Sequence, residues 1–355
     1  MTDKLTAMLK PIWIVFLFVI FYGCNEEQHS KPPVKRISAN YNTVRDTGVL
    51  NGGVKMVSIT TPVGNYKVWT KRIGNNPTIK VLLLHGGPAQ GHEYMEVFES
   101  FFPAASIEFY EYDQLGSSYS DQPTDSSLWT IDRFVDEVEQ VRTALNLDSS
   151  NFYLLGHSWG GILAIEYALK HQQHLKGLIV SNMMSSCPDY GKYSEVLAKQ
   201  MDPKVVAEIK QLEQRKQYNN PRYEELLMPN FYAKHVCRLA EWPEPVMRSY
   251  RHLNKDIYTL MQGPSEFGIS GRLANWDRKA DLPKIVVPTL IIGAGHDTMN
   301  PEHMRLMSTQ VKNGSYLFCP EGSHLAMYDD QQIYMNGVID WLEKVDGNKA
   351  EKKNG

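Results

Sequence analysis

The chain has 355 residues, 42% of them hydrophobic and 22% charged, with a formal net charge of −3. That is ordinary for a globular protein, and long enough for one large domain or for a core with a substantial insertion. The mildly acidic balance gives no electrostatic reason to expect nucleic acid as a partner. The cysteines at 24, 187, 237 and 319 are few and widely spaced, so they outline neither a zinc site nor a disulfide framework.

Lys4 and Lys10 give a basic start, Pro11 to Tyr22 is an unbroken apolar run, and Gly23-Cys24 follows. Residues 1–24 therefore have the layout of a secretory signal. As a helix the run reaches only about 18 Å, short of the hydrocarbon core of a bilayer, so a spanning segment is disfavoured. Ending in a small residue and then cysteine, it resembles a bacterial lipoprotein signal. The resemblance implies cleavage before Cys24, lipid on that cysteine, and a protein tethered to a membrane face outside the cytoplasm. Residues 25–48 are polar, carry Pro32-Pro33, and read as a tether.

Alternation over Val57 to Thr61 and Tyr66 to Lys71, around Pro62-Val63-Gly64-Asn65, predicts a hairpin. Val81 to Leu84 and Ile107 to Tyr112 read as buried strands. Ile131, Phe134, Val135, Val138, Val141 and Leu145 repeat at helical spacing, with Thr130 placed to cap them. A strand at Phe152 to Leu155, a helix from Ile162 and a strand at Leu178 to Val180 follow. Strands alternating with helices predict a mostly parallel sheet wrapped on both faces. From about 183 to 275 the pattern turns helical, with Pro203, Pro221, Pro229, Pro243 and Pro245 as breaks. Strands resume at Thr289 to Gly293 and Ser315 to Phe318, and an amphipathic helix runs through Ile333, Val338, Ile339 and Trp341. The expected division is an α/β core over 49–182 and 278–345, a helical cap inserted over 183–277, and a disordered tail over 346–355.

Gly156-His157-Ser158-Trp159-Gly160 lies between the strand at 152 and the helix at 162, which is the context of a nucleophile elbow. A serine hydroxyl needs a histidine to accept its proton and a carboxylate to orient that histidine. In an α/β-hydrolase fold the acid and then the histidine follow the serine in the chain. Asp297, in the loop after one strand, and His324, in the loop after the next, stand in that order. His85, His157 and His296 read as turn residues or as facing elsewhere, and Asp113 and Asp121 precede the serine. His85-Gly86-Gly87-Pro88 follows a strand, so Gly87 can present a backbone N–H to an oxyanion, with the N–H of Trp159 as the second donor. No metal or organic cofactor is required by this chemistry.

His85-Gly86-Gly87-Pro88, Asp113-Gln114-Leu115-Gly116-Ser117, Gly156-His157-Ser158-Trp159-Gly160-Gly161 and Gly322-Ser323-His324-Leu325-Ala326-Met327 occur in the order seen in the proline iminopeptidase family. This is the α/β-hydrolase branch that includes the tricorn-interacting aminopeptidase, and the chain resembles it over about residues 50 to 345. The resemblance implies release of an N-terminal residue, often proline, from short peptides with a free N-terminus. Gly263-Pro264-Ser265-Glu266-Phe267 looks like the family's cap-to-core segment, so Glu266 matches the glutamate that holds the substrate's α-ammonium. Thr298 stands where the family commonly has a second glutamate, and Ala89 where the glycine loop commonly ends in glycine. The cap aromatics Phe231, Tyr232, Trp242, Tyr250 and Tyr258 could line an apolar pocket for the first residue. Such residues are more often the cap's own core, and none is placed in the site. The rival readings are an esterase or amidase with the same three groups, and a non-catalytic binding lipoprotein. An epoxide hydrolase or dehalogenase is disfavoured because Ser158 occupies the position where those folds place an aspartate.

Overall fold

The computed structural model describes residues 53–353. The expected signal segment, Cys24 and the tether over 25–48 lie outside the described residues. The strands are β1 (Val54–Thr61), β2 (Gly64–Ile73), β3 (Lys80–Leu84), β4 (Glu108–Tyr112), β5 (Phe152–His157), β6 (Gly177–Ser181), β7 (Thr289–Ala294) and β8 (Gly314–Cys319). They form one eight-stranded sheet in the order β1-β2-β4-β3-β5-β6-β7-β8. The β1–β2 and β2–β4 pairs are antiparallel, and every pair from β4–β3 to β7–β8 is parallel.

The central parallel strands β3, β5, β6 and β7 are mostly apolar because both of their faces are covered, whereas β4 buries Glu108 and Glu111 and the edge strand β8 is largely exposed. In β3, Leu82 and Leu84 join one core cluster while Val81 and Leu83 join another. The first face packs against α1 (Ile131–Ala144) and α2 (Trp159–His171), through residues such as Phe134, Val138, Ile162 and Leu163. The second packs against a 3₁₀ segment, Glu93–Ser100, and the last helix, through Tyr94, Phe98, Tyr334 and Val338. Thr130 caps α1, its hydroxyl accepting from the N–H of Arg133.

Between β6 and β7 come α3 (Cys187–Ala198), α4 (Pro203–Gln214), α5 (Pro221–Leu227), a π-turn (Met228–Tyr232), α6 (Ala233–His235), α7 (Glu244–Arg251) and α8 (Lys255–Met261). Several of the prolines expected to break helices instead start them. Pro203 and Pro221 each sit in the first turn, behind the capping side chains of Asp202 and Asn220. Leu197, Ile209, Leu212, Leu226, Leu227, Phe231 and Phe267 give this region a small core of its own. A helix not expected from the sequence, α9 (Pro301–Gln310), begins the same way: the Asn300 side chain accepts from the N–H groups of Glu302 and His303. A short turn, α10 (Ala326–Asp329), precedes α11 (Gln331–Lys353).

The chain end departs from the disordered tail expected over 346–355. The α11 helix continues through Lys353, with no proline to stop it. Asp346 accepts a 2.9 Å hydrogen bond from the Thr78 hydroxyl and pairs with the Lys176 ammonium. That ties the helix to the start of β3, well past the point where hydrophobic spacing fades.

Candidate active site

The carboxyl ends of β3, β5, β6, β7 and β8 converge on one edge of the sheet, where ligands bind in open α/β folds. Ser158 stands between β5 and α2 with φ 55° and ψ −124°, a left-handed backbone that an L-residue adopts only when its surroundings force it. The force is close packing. A Cβ on Gly160 would lie 2.1 Å from the carbonyl oxygen of Leu84, and one on Gly156 would lie 2.0 Å from that of Gly160. Strand and helix therefore meet at backbone contact, and the serine is turned out at the corner. Trp159 is the first residue of α2, so its N–H has no intrahelical partner.

The glycine loop after β3 is pressed against this corner. A Cβ on Gly86 would lie 3.0 Å from Cβ of Ser158. Both backbone groups of Gly86 are held: its N–H donates to the Tyr94 hydroxyl at 2.7 Å, and its carbonyl lies 2.8 Å from Nδ1 of His85. Nε2 of His85 accepts from the N–H of Gln114 at 3.1 Å, so its proton sits on Nδ1, facing that carbonyl. Burial also pushes the His85 pKa down to about 4, which keeps the ring neutral. Gln114 completes the bracket, its side chain donating to the His85 carbonyl and accepting from Nε1 of Trp159 at 2.8 Å. Gly87 follows with φ +109°, and Ala89, where the family commonly has glycine, keeps φ 64°.

Asp297 and His324 lie together: Nδ1 of His324 is 2.8 Å from Oδ1 of Asp297, and both residues are buried. Burial alone would lower the His324 pKa. The Asp297 charge and hydrogen bond outweigh it, so the pKa is raised above the ordinary 6.5. The His324 ring centroid is 4.9 Å from that of His157, the residue before Ser158. The loop carrying His324 is held by the cap, because His324 and Leu325 donate their N–H groups to the carbonyls of His235 and Val236.

Glu266 is only 8% exposed, in contrast to a surface glutamate. Tyr258 donates to Oε1 at 2.6 Å, Tyr190 donates to the Glu266 backbone carbonyl at 2.9 Å, and the Glu266 N–H donates to the Tyr232 hydroxyl at 3.2 Å. Among the described residues no lysine, arginine or histidine lies within salt-bridge distance of it. Its charge nevertheless contributes to raising the His324 pKa, as a nearby carboxylate does. The cap aromatics are thus not only cap core: Tyr232 and Tyr258 build the walls around this carboxylate.

Thr298 is buried beside the Asp297–His324 pair. Its hydroxyl donates to Oδ1 of Asp297 at 3.3 Å and lies 3.2 Å from Nδ1 of His324. Elsewhere, Glu139, His171 and His174 gather in a way that could hold a metal ion. The Glu139 carboxylate, however, is already taken by Arg142 and by the Tyr167 hydroxyl.

A family model described as alpha/beta hydrolase fold matches residues 80–331. A proline iminopeptidase of Flavobacterium johnsoniae is 66% identical over 296 residues, covering 83% of this chain and 100% of that protein. The chain belongs to the proline iminopeptidase family. Among solved structures, VinJ matches with a TM-score of 0.76 at 28% identity, covering 82% of this chain and 98% of that one. The proline iminopeptidase of Mycobacterium smegmatis matches with a TM-score of 0.73 at 26% identity, covering 82% and 99%. Within this proline iminopeptidase fold, the sequence reading missed Tyr94, Asn182 and Tyr190, and gave Gln114 and Thr298 no structural role. Of the three that were missed, only Asn182 left a usable signal, since it directly follows β6 at the edge where Ser158, Asp297 and His324 emerge.

Proposed function

We propose that the protein is a serine aminopeptidase that releases the first residue, proline among them, from short peptides with a free N-terminus. Ser158 Oγ attacks the first peptide carbonyl, and His324, held through Nδ1 by Asp297, takes the proton. The N–H groups of Gly87 and Trp159 stabilise the oxyanion. His324 returns the proton to the leaving amine, and water then cleaves the acyl-enzyme. Glu266 receives the substrate's ammonium.

The observation that carries this reading is the Glu266 carboxylate, which is buried, bonded to tyrosine hydroxyls, and without a cationic partner among the described residues. Burying such a charge is costly unless a cation completes it, and a free N-terminus supplies one. The test compares a prolyl amide with its N-acetylated form on the parent and on Glu266→Gln. Loss of a charged hydrogen bond should cost the free substrate about 10- to 100-fold in kcat/KM and leave the blocked one unchanged. Equal turnover of free and blocked substrates by the parent overturns the aminopeptidase reading. It would favour instead an esterase or amidase, the reading that Thr298 supports by supplying no second carboxylate.

We further infer that the enzyme works outside the cytoplasm, anchored through lipid on Cys24, from the apolar run of 11–22 and the Gly23-Cys24 that ends it. Cys24→Ser should release the protein from the membrane fraction. A variant that stays membrane-bound contradicts the anchor.

A further inference from the structure

Three segments carry the proposed machinery: the loop after β3 with Gly87, the elbow after β5 with Ser158, and the loop after β8 with His324. No strand pairing joins their tips. One run of side chains crosses all three behind the serine. The Gly86 N–H lies 2.7 Å from the Tyr94 hydroxyl, that hydroxyl lies 2.8 Å from Nδ1 of His157, and Nε2 of His157 lies 2.8 Å from the His324 carbonyl. Tyr94 is 0% exposed and His157 2% exposed, so water does not compete for these bonds.

The chemistry allows one direction of donation along this run. An amide N–H only donates, so the Tyr94 oxygen accepts from Gly86 and its single O–H is left for His157. Nδ1 of His157 therefore accepts and carries no proton. Nε2 carries the proton and donates to the His324 carbonyl, which only accepts. Every group is satisfied when His157 is neutral, and burial pushes its pKa down to about 3. The run is anchored at its side as well, since the Tyr328 hydroxyl donates to the Tyr94 carbonyl at 2.8 Å.

We propose that Tyr94 and His157 are positioning residues that hold the oxyanion loop and the catalytic-histidine loop in register across Ser158. Neither is a catalytic residue: both ring nitrogens of His157 and the Tyr94 hydroxyl are spent within the run. Their effect is geometric. Fixing the peptide on one side of Gly86 fixes where the next N–H, that of Gly87, points, and fixing the His324 carbonyl fixes the backbone from which the imidazole projects. Displacement by about 1 Å costs a site of this kind about 100-fold in rate.

The inference rests on the serine-hydrolase reading above. The test uses the full chain with a prolyl amide substrate, and counts active sites by stoichiometric labelling with a serine-directed phosphonate. Tyr94→Phe cuts two links of the run. His157→Asn keeps an acceptor near the Nδ1 position and cuts the link to His324. Each variant should lose about 10- to 100-fold in kcat per titrated site, with KM within about threefold of the parent. The double variant should be no slower than the slower single, because a run cut once no longer transmits position.

Unchanged kcat per titrated site, a loss confined to KM, or losses that multiply in the double variant overturn the proposal. If Tyr94→Phe does not fold, His157→Asn alone decides by the same kcat criterion. A parent that neither labels nor turns over substrate overturns the serine-hydrolase reading instead, and is thereby told apart.

Discussion

Asn182 holds the oxygen of Asp297 that His324 does not use. Its Nδ2 lies 2.7 Å from Oδ2, while Oδ1 faces Nδ1 of His324 at 2.8 Å and accepts from the Met299 N–H at 3.0 Å. Asn182 itself sits at φ 53° at the end of β6, so this grip is built into the strand terminus. Both carboxylate oxygens are thus fixed before any substrate arrives.

A pH profile follows from this couple. The proposed base must be neutral to accept the serine proton. The raised His324 pKa therefore places the acid limb of kcat/KM above pH 6.5. In Asp297→Asn the largest raising charge is gone and only the weaker Glu266 and Asp329 charges still oppose burial, so the limb moves to lower pH. The rate on the plateau should fall about 10³- to 10⁴-fold, as loss of the orienting carboxylate does in serine hydrolases. Steady-state kinetics between pH 5 and 9 on both proteins would check this, and an unmoved limb would mean that another group titrates.

Two glycines separate folding from chemistry. In Gly160→Ala the added methyl meets the backbone oxygen of Leu84 at 2.1 Å, which no side-chain rotation relieves. The variant should lose several kcal/mol, about 3 or more, seen as a large drop in Tm or as failure to fold. In Gly86→Ala the nearest atom is Cβ of Ser158 at 3.0 Å. There a shift of a few tenths of an ångström suffices, so the fold should persist while kcat drops. Thermal melts run beside active-site titration distinguish the two outcomes.

Glu111 should give stability its own pH dependence. Its side chain is fully buried, neither carboxylate oxygen has a hydrogen-bond partner among the described residues, and the Lys71 ammonium is 3.5 Å away. Burial pushes its pKa up from 4.5 to about 7, against the opposing His92 and Lys71 charges. Between those pH values the folded state holds the proton more tightly than the unfolded chain, so stability falls as pH rises from 4.5 towards 7. The shift corresponds to a contribution on the order of 3 kcal/mol, fully lost above pH 7. Glu111→Gln should remove that slope, gaining on the parent at pH 8 relative to pH 4.5 in denaturant titrations. Parallel stability curves for the two proteins would contradict it.

The elements were largely legible in the chain because their signals are local. Period-two alternation marked β1 and β2, short apolar runs marked most of the doubly covered strands, and the Gly156 to Gly160 pattern marked the backbone contact that Gly160 makes with Leu84. Asp297 and His324 were picked out by the serine–acid–histidine chain order of α/β-hydrolases, and their loops at strand carboxyl ends put them at the same edge as Ser158. What escaped was set by tertiary contact. Nothing in the spacing of Tyr94, Tyr190 or Tyr258 distinguishes a tyrosine packed by its ring from one whose hydroxyl is aimed at a carboxylate or an imidazole. His157 read as a turn residue because its partners, Tyr94 and His324, are 63 and 167 residues away. The helix through Lys353 was missed because its anchor, the Asp346 pair with Lys176, spans 170 residues. Thr298 gave a clear departure from the family pattern but no hint that its hydroxyl turns onto the Asp297–His324 bond.

The proposed chemistry requires Ser158 to be the reactive group. Peptide mass spectrometry after treatment with a serine-directed phosphonate reads that directly. The adduct should sit on the peptide containing Ser158, reach one per chain, be absent from Ser158→Ala, and form far more slowly in His324→Ala. An adduct on another residue, or an active parent that carries none, would contradict it.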